Sequence, residues 1–412
     1  MTLEQLRRQK IAIIVGSLVV LFIFFAFISH LFIKPRPKKV TLTIWGFDGP
    51  SVMQEIFTLY KASHPNVEFK YTQKTFEGYQ KSLLDAMASG NSPDIFLIHN
   101  GWLQNYKNKI QPYFNKNLKP QNITDAFADI VYQDFVSDGK LWALPSYIDT
   151  LALYYNADIF NRNNIALPPT TWQEFKETAK KLTFINEKNE QIIVSGAAVG
   201  SAKNINRAPD LFSLVLLQKG FNKENPTKNL FSALDFYTSF ANPYSENYIW
   251  DKSFHYSIDA FSEGNVAMMF NYHYQQELLK TKNPYLNFKI TKVPQFNKDK
   301  PVNFANYWAW TVSIFSNDPF QAWDFIISLT TNSSLAEKYL QLTNQPPALR
   351  VLINKYLTDP DLGIFCSQAL TAKDIKTKDP QDFEDTFTKT IESFLNGTIT
   401  LKEVANILST KL

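Results

Sequence analysis

From Ile11 to Ile33 nearly every position is apolar, interrupted only by Gly16, Ser17, Ser29 and His30. A run of 23 such residues predicts a helix long enough to cross a bilayer with modest tilt. Lys34–Lys39 (KPRPKK) follows as a short, extended, solvated spacer. At Val40 the pattern changes, and Val40 to Trp45 alternates as a strand. Gly46–Pro50 is a turn, and Ser51 with Gln54 offers a capping box for a helix whose apolar face is Met53, Ile56, Phe57 and Tyr60. Val67 to Tyr71 is a second strand. Phe76, Tyr79, Leu83 and Met87 recur at helical spacing until Gly90, and Ile95 to Ile98 is a third, wholly apolar strand. The order β-α-β-α-β predicts a parallel sheet with helices on its faces.

The stretch Asp138–Phe160 has a different character. After an Asp-Gly turn come Leu141–Leu144, then Pro145, then Tyr147–Tyr155, rich in aliphatic and aromatic residues. This is longer than an ordinary strand and predicts a segment that leaves one sheet and enters another. Asp149, the acid inside it, is costly to bury unless it is paired or faces a wet cleft. Further along, Thr171 is placed to cap a helix from Trp172, with Glu174 in its first turn. Gly264 closes a helix, Val266–Asn271 and Val312–Phe315 read as strands, and Pro319–Leu329, Phe383–Leu395 and Leu401–Leu408 read as helices.

Charge and composition narrow the function. At 412 residues the chain has room for two domains, and aromatics reach 15%. Seven basic residues against Glu4 alone stand in the first 39, so of the net +4 the remainder carries −2. No basic face for nucleic acid follows. The single cysteine, Cys366, excludes an intrachain disulfide, and the five histidines show no metal-ligand spacing. No cofactor motif or Ser-His-Asp signature is present. Residues 26–31 (AFISHL) lack a small-residue cleavage site, which favours an uncleaved signal anchor over an export signal with an unusual site. In open parallel sheets, ligands sit outside the carboxyl ends of the strands. Those ends are Trp45–Gly46–Phe47–Asp48 and His99–Asn100–Gly101–Trp102.

Five segments, in order, resemble a known family. They are Ala88–Ile95 (ASGNSPDI), Asp138–Pro145 (DGKLWALP), Leu153–Phe160 with Pro168–Phe175 (LYYNADIF, PPTTWQEF), Ala260–Met268 (AFSEGNVAM) and Pro346–Arg350 (PPALR). Together they resemble the family 1 extracellular solute-binding proteins, the maltose-binding-like receptors of ABC importers, from about Val40 to the C-terminus. The resemblance implies an α/β, two-lobed periplasmic-binding-protein-like fold with a hinge cleft, here preceded by one transmembrane helix. It implies a cytoplasmic stretch 1–10, an anchor 11–33, a linker 34–39, a first lobe of 40–147 and 302–343, and a second of 148–301 and 344–412. The crossings would lie near Tyr147–Asp149, between Pro294 and Val302, and near Thr343–Pro346.

The implied function is a monomeric, membrane-anchored, extracytoplasmic receptor that binds a carbohydrate by hinge closure and delivers it to ABC permease subunits. A tethered glycan receptor without transport, or a tethered glycosidase, are the alternatives. The implied ligand contacts are Asp149 at the hinge, Tyr274 as a stacking platform, Asp94 after its proline, Tyr147, and the strand-end residues Trp45, Phe47, Asp48, Asn100 and Trp102. Arg207, with Asn204 and Asn206, lies in a loop where members add contacts, while Arg350 is expected to be structural. Trp308 and Trp310 stand where many members carry glycines. Being two apart on a strand, they are expected to be buried together or to face the ligand together. Their bulk argues for a site of one or two rings, or a different solute.

Overall fold

Strand β1 (Val40–Gly46) pairs in parallel with β2 (Val67–Gln73) along its whole length and meets β3 (Ile95–His99) at Ile44 and Ile95. The alternation of Leu42 and Ile44 puts both fully inside, as the pattern predicts. In this computed structural model, which describes residues 2–32, 38–114, 120–186, 191–222 and 224–412, helix α1 (Leu3–Phe32) precedes that sheet. Its described side chains are exposed, and its length and composition suffice to cross a membrane. Spacer residues 34–37 lie outside the described residues.

Helix α2 (Pro50–Lys61) buries Met53, Ile56, Phe57 and Tyr60. The expected Ser51 cap is corrected: Pro50 already occupies the first turn, Gly49 is the N-cap, and no side chain caps it. Proline's fixed φ starts the helix one residue early, leaving Ser51 inside it. Helix α3 (Tyr79–Ala88) buries Tyr79, Leu83 and Met87, whereas Phe76 precedes it and is exposed. The sheet gains two late or short strands. β4 (Ile110–Gln111) is its edge, and β9 (Trp308–Ser313) runs antiparallel between β3 and β4. Around this sheet lies the first hydrophobic core.

The second core surrounds β5 (Ala152–Asn156), flanked by antiparallel β6 (Met268–Asn271) and β7 (Phe288–Thr291). Helix α4 (Trp172–Lys181) enters it behind a full capping box: Thr171 accepts from Glu174 N, and Glu174 accepts from Thr171 N.

The long run 141–155 is no single strand. It is extended, tied by isolated bridges Leu144–Trp310, Tyr147–Pro347 and Thr150–Ala305 before β5 begins. Ile148 packs in the first core and Leu151 in the second, so the chain crosses at Asp149–Thr150. The return falls between Phe304 and Ala305, at the end of β8 (Asn303–Phe304), just beyond the expected window. β8 pairs with β10 (Ala372–Lys373).

The last crossing differs most from expectation. Ala348, Leu349, Leu352 and Ile353 belong to the first core, so 344–412 is not wholly part of the second body. Helix α9 (Gly363–Ala369) straddles both: Phe365 packs in the second core, Cys366 and Ala369 in the first. Pro347 bridges Tyr147 there, and the apolar residues after it still pack in the first core. From Ile375 through α10 (Pro380–Leu395) and α11 (Leu401–Ser409), burial is in the second core.

Candidate functional site

A cavity of about 660 Å³ lies between the two cores. Its first wall is aromatic. Trp308 stands half-buried at the start of β9, edge-on to Trp102 at 4.9 Å and to Phe47 at 4.8 Å, with Phe76 at 6.0 Å. Trp308 pairs with His99, so it sits at the carboxyl end of β3, where ligand sites in such sheets belong. The second wall carries Tyr274, 51% exposed and stacked on Tyr272 at 5.9 Å, together with Arg207 and Glu384. Tyr147, Asp149, Asn306 and Gln345 line the floor at the crossings.

Asp149 is 2% exposed, and main-chain N–H groups hold its carboxylate. Thr150 N and His273 N donate to Oδ1 at 2.9 and 3.0 Å, and Tyr274 N donates to Oδ2 at 3.4 Å. Burial pushes this carboxyl up to about 7, against the pull of those three donors. The acid thus sits at the wall with capacity left on Oδ2 to accept from a hydroxyl.

A second polar chain joins the bodies. Asp210 Oδ2 accepts from Arg207 Nε at 2.8 Å, Arg207 Nη2 at 2.5 Å, Tyr272 OH at 2.5 Å and Asn306 Nδ2 at 3.2 Å. Asn306 therefore presents Oδ1 to His99 Nε2 at 2.9 Å, while His99 Nδ1 accepts from Gly101 N at 3.2 Å. That pattern fixes the imidazole as neutral with its proton on Nε2. Burial, the leading cause, holds its pKa down at about 4. Arg207 is pinned by Asp210 and has Glu384 at 3.9 Å, so its guanidinium is oriented before any ligand arrives. Glu384 is pushed up to about 7, by burial first and by Asp210 next.

A two-walled cleft at three chain crossings is the geometry of a ligand-closing receptor, and residues 55–362 match the family model described as bacterial extracellular solute-binding protein. The chain belongs to that family. Among curated relatives, this solute-binding protein is 22% identical over 256 residues to a binding protein of Brucella abortus (strain 2308), covering 60% of each chain. It thus spans about 60% of the length of that relative. It is 23% identical over 334 residues to the galactooligosaccharide-binding protein of Bacillus subtilis (strain 168), covering 78% of this chain and 76% of the relative. Its fold matches an ABC substrate-binding protein from Listeria monocytogenes in complex with cycloalternan. The TM-score is 0.70 at 18% identity, covering 90% of this chain and 98% of that one.

Of the residues singled out in the sequence, the solute-binding protein brings Trp102, Tyr147, Asp149, Arg207, Tyr274 and Trp308 onto one cavity. The others stand off it. Trp45 lies under Lys74 Nζ, 3.5 Å from the ring centroid, and Phe47 backs Trp308 from behind. Asp48 Oδ2 accepts from Tyr339 OH at 2.7 Å. Asp94 is a structural brace whose carboxylate accepts from Thr43 N at 2.8 Å, Thr43 Oγ1 at 2.7 Å and Ser316 Oγ at 2.7 Å. Asn100 faces inward, donating to Asp374 at 3.0 Å and accepting from Tyr307 N at 3.3 Å.

Trp310 is 1% exposed, donating to Ser146 Oγ at 3.1 Å. The paired fate expected for the two tryptophans therefore fails: Trp308 ends the strand at the cavity edge, whereas Trp310, opposite Leu97, lies deeper under Gly46. Arg350 is structural, reaching Asp129 at 2.5 Å and the Thr124 carbonyl at 3.2 Å. Asn204 and Asn206 bond within their own body, to Trp250 and Tyr256 among others.

The sequence reading missed His99, Phe76, Asn306, Gln345 and Glu384 as wall residues. His99 was discoverable, since it ends β3 beside residues already chosen. Glu384 was not: it sits on α10, whose polar face also carries Asp382 and Asp385.

Proposed function

We propose that this chain is the membrane-anchored, extracytoplasmic receptor of an ABC importer, and that it binds a sugar or small oligosaccharide. The observation that carries the reading is the cavity itself, aromatic on one wall and hydrogen-bonding on the other. Trp308 and Tyr274 would lie against sugar-ring faces, while Asp149, Arg207 and Asn306 meet the hydroxyls. About 660 Å³ falls within the roughly 300–1,000 Å³ usual for small-molecule sites. The names of the galactooligosaccharide-binding relative and of the cycloalternan complex support a saccharide as the ligand class. The exposed apolar helix α1 supports an anchor, and membership of an extracellular solute-binding family supports an orientation with residues 1–10 inside the cell and the two bodies outside.

The two bodies act as lobes. A ligand held by one lobe gains contacts with the other only when the cleft closes about the three crossings, so binding shifts the population to the closed state. The family and the curated relatives, which are binding proteins, support binding rather than turnover. The test is thermal unfolding and intrinsic fluorescence of the full chain in detergent against a panel of mono- and oligosaccharides. At least one saccharide should raise the melting temperature and change the tryptophan emission. A panel without any response would overturn the ligand class, and release of shortened saccharide would overturn the binding role.

A further inference from the structure

The end of the first lobe farthest from the cavity is the end that carries the tether. β9 runs antiparallel to β3, with Trp308 at the cavity and Ser313 at the amino end of the parallel strands. Five residues separate them, about 17 Å at 3.4 Å per residue. Ile44, Ile95 and Val312 lie level across the sheet, and Val40 lies four residues beyond them at the same end. β1 and β9 are two strand spacings apart, roughly 10 Å. From Phe32, the end of α1, to Lys38 is six residues, a reach of at most about 20 Å.

That end is apolar and stiff. The turn after β9 exposes Ile314 (48%) and Phe315 (61%). The first turn of the following helix, α7 (Pro319–Thr331), exposes Phe320 (55%), whose ring lies 6.5 Å from that of the equally exposed Phe114. Asp94 fixes this turn, because its Oδ1 accepts from Ser316 Oγ at 2.7 Å and Asn317 N at 3.3 Å. Lys38 and Lys39 stand exposed where the tether enters.

The geometry points to this end as a membrane-seating surface: Ile314, Phe315 and Phe320 enter the headgroup layer of the bilayer that holds α1, and Lys38 and Lys39 meet anionic lipid. The inference rests on the reading of α1 as an anchor. Large exposed apolar side chains on a rigid turn suit the headgroup boundary, and lysines beside a span suit an anionic surface. Seating would hold the cavity at the opposite end of the lobe, clear of the lipid.

The test uses the full chain in nanodiscs of phosphatidylethanolamine and phosphatidylglycerol, one chain per disc. A spin label is placed at Asn317→Cys or, as a control, at Tyr244→Cys, a residue 98% exposed on the other lobe. Cys366 is buried, with its thiol pushed up to about 12, and resists labelling. The label at 317 should collide with lipid-soluble oxygen several-fold more, relative to a water-soluble nickel chelate, than the label at 244. Adding F315S and F320S should return the 317 label to the aqueous signature while α1 keeps the chain in the disc and the melting temperature holds. A 317 label as accessible to nickel as the control, with the chain retained through an alkaline wash, would overturn the seating alone. Loss of oxygen and nickel access together would indicate a protein partner and overturn it too. Extraction by the alkaline wash would overturn the anchor and the seating with it.

Discussion

The Asp149 carboxyl, raised by burial to about 7, titrates within the working pH range and gives the site a pH signature. Between roughly pH 4 and 7 the folded chain keeps a proton that the unfolded chain has released. This group's contribution to stability is therefore full at low pH and is lost as the pH rises through 7. Compared with Asp149→Asn, the ligand-free wild type should lose melting temperature as the pH is raised over that window. Ligand binding runs the other way: hydroxyls donate to the ionised form, so affinity should be flat above about pH 7 and fall below it, with a profile that Asp149→Asn flattens. At pH 8, Asp149→Ala should weaken binding by about 1.5–3 kcal/mol, measured calorimetrically.

Tyr274→Ala should leave the ligand-free melting temperature nearly unchanged, since half the side chain is exposed, yet remove most of the ligand-induced rise. Trp310→Ala should instead cost about 3–5 kcal/mol of stability with or without ligand. Much of this wall was legible one residue at a time: an acid inside an apolar run, and aromatics at strand ends. Asp94 was not, because its role is set by the hydroxyl of Thr43, 51 positions away, and no spacing rule reports such a partner.

Among the elements, local signals were most readable where the chain itself closes the hydrogen bonds. The Thr171 capping box is such a case, and Thr171→Ala should cost about 1 kcal/mol in denaturant unfolding. Ser51 shows the limit, since the same motif lost to a neighbouring proline. Close approach between elements was not readable at all. A Cβ on Gly196 would come within 1.8 Å of the Ala179 carbonyl oxygen, so α4 must shift to admit it. Gly196→Ala should therefore cost at least the upper end of the roughly 1–3 kcal/mol typical of overpacking, and urea titration would measure it. The three single-residue bridges, at Leu144 before Pro145 and at Tyr147 and Thr150 after it, explain why 141–155 reads as one strand in sequence. The residues keep strand character, while the ladder changes partners along the way.

For the whole molecule, the three crossings decide how the lobes can move. Closure should appear as a fall in radius of gyration on saturation with the active saccharide, measured by small-angle scattering on the detergent-solubilised chain. Protease added to spheroplasts should release a soluble fragment near residues 40–412 in size, and full protection would reverse the orientation. The parallel start of the first sheet followed from the hydrophobic pattern, and the two lobes from chain length and the family resemblance. The last crossing did not, because α9 divides its contacts between both cores within four residues. The sheet order β2-β1-β3-β9-β4 also has a consequence for how the chain is made. β9 fills the gap between β3 and β4 but is synthesised about two hundred residues after them, and α9 arrives later still. Neither lobe can complete its core while the ribosome is still translating its middle, and such distant pairing is slow. For the anchored chain proposed above, this order of synthesis would leave both cores open until most of the polypeptide had been threaded across. The same late strand that carries Trp308 to the cavity would then keep the polypeptide fit for export.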